Sequence, residues 1–146
     1  MTKIRHVGIT VSNLEKSLKF YCGILGFTEH KVVLEQGEFI DGLSGLSGVV
    51  VKTAKLLDCY NNDVLLELLE YRSPKSTPFW QPKKPITCPG ISHFALTVEN
   101  IDNLYNLLKA EIEFNAPPAV SPDGGAKVAF CRDPENNLIE LVQELK

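Results

Sequence analysis

Two segments of the chain, Ile4 to Val11 and Ile91 to Val98, carry a histidine at the same place, His6 in the first and His93 in the second. Val64-Leu65-Leu66-Glu67-Leu68-Leu69-Glu70 and Asn137-Leu138-Ile139-Glu140-Leu141-Val142-Gln143 match in the same way, so Glu67 and Glu140 are a second repeat pair. Glu70 aligns with Gln143, which singles out Glu67 as the carboxylate kept in both copies. Each Glu shares its strand face with apolar neighbours: Leu65, Leu69 and Tyr71 beside Glu67, and Leu138 and Val142 beside Glu140. A carboxylate on such a face must be paired, hydrogen-bonded or bound to a cation, because isolated burial of its charge is costly. Two imidazoles and two carboxylates make a donor set of intermediate softness. It suits one divalent metal ion, Zn, Ni, Co, Mn or Fe(II), with positions left for water or substrate. His30 has no repeat partner and reads as a solvated strand residue.

The elements that must hold these four side chains repeat as well. In Ile4 to Val11, the bulky residues Arg5, Val7, Ile9 and Val11 alternate with His6, Gly8 and Thr10. The first face can pack under a helix, and the second leaves room for a ligand. Ile91 to Val98 divides the same way, with His93, Ala95 and Thr97 on the open side. Ser12 to Glu15 reads as a capping box opening a helix of about three turns that stops at Gly26. Strands are expected at Phe27 to Leu34, Val49 to Leu57 and Val64 to Tyr71, with a glycine-rich loop from Glu35 to Gly48 and a turn at Asn61-Asn62-Asp63. In the second half, Asn100 is placed to cap a helix, and Ile112 to Phe114, Lys127 to Arg132 and Asn137 to Leu145 read as strands. Turns are expected at Ser121 to Gly125 and Asp133 to Asn137.

Between the halves, Pro74, Pro78, Pro82, Pro85 and Pro89 exclude a helix or central strand. The expected organisation is a first module over 1–72, a proline-rich linker over 73–90 and a second module over 91–146. Phe79 and Trp80 in the linker are expected to pack on the protein's own surface or, alternatively, over a pocket mouth or a partner subunit.

A chain of 146 residues with a net charge of −3 has no basic field to attract nucleic acid or an anionic membrane. No apolar run approaches the roughly 20 residues of a membrane span, and no signal-peptide segment precedes the first strand, so a cytoplasmic location is expected. Cys22, Cys59, Cys88 and Cys131 show no paired spacing and are expected to be reduced and mostly buried.

The pattern His6-Val7-Gly8-Ile9-Thr10-Val11, followed by Asn13-Leu14, Ser17-Leu18, Phe20-Tyr21 and Leu25-Gly26-Phe27, and the later Arg132-Asp133-Pro134 leading to Asn137-Leu138-Ile139-Glu140-Leu141, resembles the vicinal oxygen chelate superfamily. That superfamily includes glyoxalase I, methylmalonyl-CoA epimerase, extradiol dioxygenases and the fosfomycin and bleomycin resistance proteins. The resemblance implies an α+β fold of two βαβββ modules forming a cupped, barrel-like mixed sheet, often completed as a homodimer. It places the metal positions of the lyase and isomerase members on His6, Glu67, His93 and Glu140. It implies a metal-dependent lyase, isomerase or epimerase acting on a small substrate with vicinal oxygens through an enolate, with Glu140 or Glu67 as general base. The alternatives are a non-catalytic small-molecule binder and an Fe(II) ring-cleavage dioxygenase. Bacterial glyoxalase I holds glutathione with an Arg four residues after its first His and an Asn four after its first Glu. Thr10 and Tyr71 stand there in this chain, which speaks against glutathione. Arg5, Lys52, Arg72 and Arg132 are each candidates to anchor a substrate anion.

Overall fold

The computed structural model describes residues 1–60, 64–76 and 85–145. The expected turn at Asn61-Asn62-Asp63, together with Phe79 and Trp80, lies outside them. The chain divides into two compact units, Met1–Phe79 and Trp80–Lys146. Each is an α+β module built on a four-stranded mixed sheet.

In the first unit, β1 (His6–Thr10) leads into α1 (Leu14–Tyr21), and β2 (Thr28–Gln36), α2 (Glu38–Ser44), β3 (Val50–Leu57) and β4 (Leu65–Ser73) follow. The sheet order is β1-β4-β3-β2, with β1 parallel to β4 and the other neighbours antiparallel. Helix α1 packs on β4. It buries Leu14, Ser17, Phe20 and Tyr21, and Ile9, Val11, Leu56, Leu66 and Leu68 are buried in the same unit. Each such aliphatic side chain contributes about 1.5–3 kcal/mol by leaving water. Phe20, Tyr21 and Phe27 meet edge to face in succession, with ring centroids 5.0 and 6.1 Å apart. At the end of this helical segment Gly26 takes φ 79°, and the Phe27 N–H reaches back to the Tyr21 carbonyl at 3.0 Å. That positive φ is cheap only for a residue without Cβ.

Two local expectations are corrected here. The helix is capped by Asn13, whose Oδ1 accepts from Lys16 N–H at 2.9 Å, and Ser12 lies one residue too early. Glu70 on β4 accepts from the Leu14 N–H at 3.0 Å and so fixes this start. The segment from Glu35 to Gly48 is not simply a loop, since it ends β2 and contains α2. Asp41 explains the difference: its carboxylate accepts from the Gly48 and Val49 N–H groups at 2.8 and 2.7 Å, tying the following glycine-rich turn back onto the helix.

The second unit repeats the plan with β5 (Phe94–Thr97), α3 (Ile101–Leu108), β6 (Ala119–Val120), β7 (Ala126–Arg132) and β8 (Leu138–Glu144), in sheet order β5-β8-β7-β6. Asn100 caps α3 through Asn103 N–H at 2.9 Å, as expected. Ile101, Leu108, Ala129, Cys131, Leu138, Ile139 and Leu141 are buried here. The expected strand over Ile112 to Phe114 does not form. Phe114 makes only an isolated bridge to Cys131. Pro117 and Pro118 follow within a few residues and have no N–H to extend the ladder, so pairing with β7 resumes only at Ala119. The turn at Asp133 to Asn137 forms around the Asp133 carboxylate, which accepts from Glu135 N–H, Asn137 N–H and the Asn137 amide. No helix among the described residues is long and apolar enough to cross a membrane.

Candidate metal and substrate site

The open face of each sheet carries the histidine. On β1, Ile9 is buried while His6, Gly8 and Thr10 are exposed. On β5, Phe94 and Leu96 are half-buried while Ala95 and Thr97 are exposed. The parallel register sets Gly8 beside Glu67 and Ala95 beside Glu140. Each carboxylate therefore has one of the smallest residues across from it.

Within each unit the His and Glu come together. His6 Nδ1 lies 3.6 Å from Glu67 Oε1, and His93 Nε2 lies 3.3 Å from Glu140 Oε2. A tetrahedral metal with metal–nitrogen and metal–oxygen bonds of ordinary length holds two such ligands about 3.4 Å apart. A direct N–H to O hydrogen bond is nearer 2.9 Å. Ser92 Oγ lies 2.8 Å from His93 Nδ1. When that hydroxyl accepts from Nδ1–H, the Nε2 lone pair is turned towards the Glu140 oxygen, and two lone-pair atoms at that separation suit a cation between them. Each His–Glu pair is therefore spaced as two ligands of a divalent metal would be. Among the described residues, no group of three or more His, Cys, Asp or Glu side chains is spaced to hold a metal ion.

The two half-sites differ in their third neighbour. Across the antiparallel ladder, Lys55 on β3 is opposite Glu67, and its Nζ is 3.1 Å from Glu67 Oε1. Phe130 on β7 is opposite Glu140, and its ring meets His93 edge to face at 5.2 Å. Glu67 is the more deeply set carboxylate, with a side chain 11% exposed against 25% for Glu140. Ser92 and Lys55 are not among the residues singled out from the sequence. The apolar run Val49 to Leu57 carries two cations, Lys52 and Lys55, and only the ladder register tells which of them meets Glu67.

Glu70 and Gln143 occupy equivalent places on the opposite face. Glu70 Oε1 accepts from Leu14 N–H at 3.0 Å and Gln143 Oε1 from Ile101 N–H at 2.9 Å, so each serves the first turn of its unit's helix. Of the expected anion anchors, Arg72 Nε lies 3.6 Å from Glu70 Oε2, and Lys52 is opposite Glu70 in the ladder, away from the histidine face. Arg132 donates to the Asn136 carbonyl at 2.9 Å, and Arg5 is exposed ahead of β1. His30 is exposed on β2, as expected. Thr10 and Tyr71 lie on the same sheet face as Glu67.

Residues 3–141 match the Glyoxalase/Bleomycin resistance protein/Dioxygenase superfamily. The chain belongs to this superfamily. Among its glyoxalase-superfamily relatives, a lactoylglutathione lyase of Schizosaccharomyces pombe is 30% identical over 158 residues, covering 97% of this chain and 47% of that protein. The chain therefore spans about half the length of that relative. The uncharacterized protein YaeR of Escherichia coli is 26% identical over 145 residues, covering 99% of this chain and 98% of that one. A crystal structure of a glyoxalase family protein from Bacillus cereus superposes with a TM-score of 0.88 at 22% identity, covering 100% of this chain and 96% of that one. This last likeness is one of fold.

Proposed function

We propose that this superfamily member is a metal-dependent lyase, isomerase or epimerase acting on a small substrate that offers vicinal oxygens. The observation that carries the proposal is the duplicated His–carboxylate spacing, 3.6 Å at His6 and Glu67 and 3.3 Å at His93 and Glu140. His6, Glu67, His93 and Glu140 would be the ligands of one divalent ion, Zn, Ni, Co, Mn or Fe(II). When bound, that ion supplies a Lewis acid that polarises the substrate oxygens and stabilises developing negative charge.

Glu140 is the better placed general base. Glu67 already faces the Lys55 ammonium, whereas Glu140 faces the neutral ring of Phe130. Loosened from the ion, Glu140 would take the proton from the carbon next to the carbonyl, leaving the electron pair on the substrate, and return it to the neighbouring carbon or to the opposite face. Gly8, Thr10, Ala95 and Thr97 leave room for the substrate, and the first modules's Thr10 and Tyr71 speak against a glutathione ligand. The lyase relative from Schizosaccharomyces pombe supports the reaction class. A homodimer in the cytoplasm, with modules over 1–72 and 91–146 joined by the linker over 73–90, belongs to the same proposal.

Elemental analysis of the purified protein tests the centre, and a screen of the metal-loaded protein across 2-oxoaldehyde hemithioacetals, acyl-CoA epimers and catechols tests the reaction. Stoichiometric metal that is lost in His6→Ala, with turnover abolished but folding kept in Glu140→Gln, is the expected result. Unchanged turnover in Glu140→Gln sinks the base assignment. Absence of metal after reconstitution moves the protein to the sequestering binders, and oxygen consumption with catechols to the dioxygenases.

A further inference from the structure

A single cross-strand row runs through Glu67: Gly8 on β1, Glu67 on β4, Lys55 on β3 and Lys31 on β2. Two features of the row are not required by the fold. Lys31 and Lys55 are directly opposite one another, and like charges in that relation oppose strand pairing. The place of Lys55 is taken by Phe130 in the second unit, so the duplicated sheet does not need an ammonium there.

The row holds one carboxylate for two ammoniums, with Lys55 Nζ 3.1 Å from Glu67 Oε1 and His6 Nδ1 3.6 Å from the same oxygen. Lys31 is exposed, and the Lys55 side chain is 34% exposed. With Glu67 committed to a divalent cation, the charges of two carboxylates and that cation cancel. The one carboxylate of the row is then no longer available to its two ammoniums.

We infer that Lys31 and Lys55 form an oxyanion-binding subsite beside Glu67, and that the substrate carries a carboxylate or phosphate group bridging them. Charge-assisted hydrogen bonds from two ammoniums are strong and relieve the like-charge pairing. Adjacent strands lie about 4.8 Å apart, so the anionic group sits about 5–10 Å from the Glu67 strand. That spacing suits a short-chain oxyacid or phosphomonoester whose vicinal oxygens lie at His6 and Glu67. The position of the reacting end rests on the metal-centre proposal; the subsite rests on the row itself, whose two ammoniums outnumber its one carboxylate with or without a metal.

The test is a titration of the full chain in chelator with inorganic phosphate and, separately, acetate, following β2 and β3 amide shifts by NMR. Saturable binding is expected, tighter in Glu67→Gln, which frees Lys55, and weaker by about fivefold in Lys55→Met and in Lys31→Met. Lys19→Met, remote on α1 beside Glu15, is expected to match wild type. Binding of phosphate alone assigns a phosphomonoester, and binding of acetate assigns a carboxylate. Equal affinity in wild type and either lysine variant, no gain in Glu67→Gln, or no saturable binding of either anion overturns the subsite. Lys31 is exposed on an outer strand, so its variant keeps the test valid if a change at Glu67 or Lys55 disturbs folding. No metal is present in the titration, so its failure leaves the metal centre standing, and failure of the elemental analysis leaves the subsite standing.

Discussion

Glu67 and Glu140 are equivalent in sequence and unequal in surroundings. Their identity was legible because a duplication puts the same residue type at matching places twice, which chance seldom does. Their neighbours were not legible, because Lys55 and Phe130 meet them across a ladder whose register no single strand reveals. Ser92 was hidden for a similar reason: its repeat counterpart is Arg5, so the orienting contact on His93 exists in one copy only. The cysteines show the same limit. All four are free thiols, but only Cys131 is buried, while Cys59 is exposed and Cys22 and Cys88 are half-buried. Burial, aided by the nearby Asp133 carboxylate, pushes the Cys131 thiol up from 9.0 to about 12. At pH 8 Cys59 is expected to alkylate rapidly in the native protein and Cys131 to stay unmodified until the chain unfolds, as mass spectrometry of iodoacetamide adducts will read. Because the folded form resists ionisation, the associated stability is complete below about pH 9 and is lost as pH rises towards 12. Equal labelling of Cys59 and Cys131 at pH 8 would contradict this.

At the scale of elements, alternation and helix phasing located most strands and both of the longer helices. What they could not supply was long-range help. The cap of α1 shifted from Ser12 to Asn13 because a side chain from β4 serves the first turn, and α2 formed where glycines suggested only a loop because Asp41 closes it. The second copy provides a natural substitution at the β4 position, since Gln143 does for α3 what Glu70 does for α1. Glu70→Gln is therefore expected to keep the contact and change stability little. Glu70→Ala removes an acceptor at a helix N-terminus and should cost about 1 kcal/mol in urea denaturation. A loss as large for Gln as for Ala would show that charge, rather than the hydrogen bond, is what matters there.

For the molecule as a whole, the α+β class and the two-module repeat were visible in the chain, because His and Glu anchors recur in the same order on matching strands. The loops between anchors differ in length, which is why boundaries such as β6 were missed. The proposed metal would bind only the folded chain, and a ligand that does so stabilises that chain by mass action. Free metal at a hundredfold above its dissociation constant should add about 2.7 kcal/mol, raising the melting temperature by about 5–10 °C for a chain of this size. Calorimetry with and without chelator measures it. An unchanged melting temperature after metal loading would count against the centre.

Strand β4 carries Glu67 on one face and Glu70 on the other, three positions apart, so the strand is read from both sides at once. A slip of one residue would turn Glu67 towards α1 and take Glu70 off the helix in the same movement. Insertions and deletions can thus accumulate in the connecting loops, and the ladder of β4 shifts register only beyond Tyr71, while the stretch from Glu67 to Glu70 admits none. The duplicated halves were free to diverge in length, charge and ligand preference without ever losing the frame in which the two acids are set.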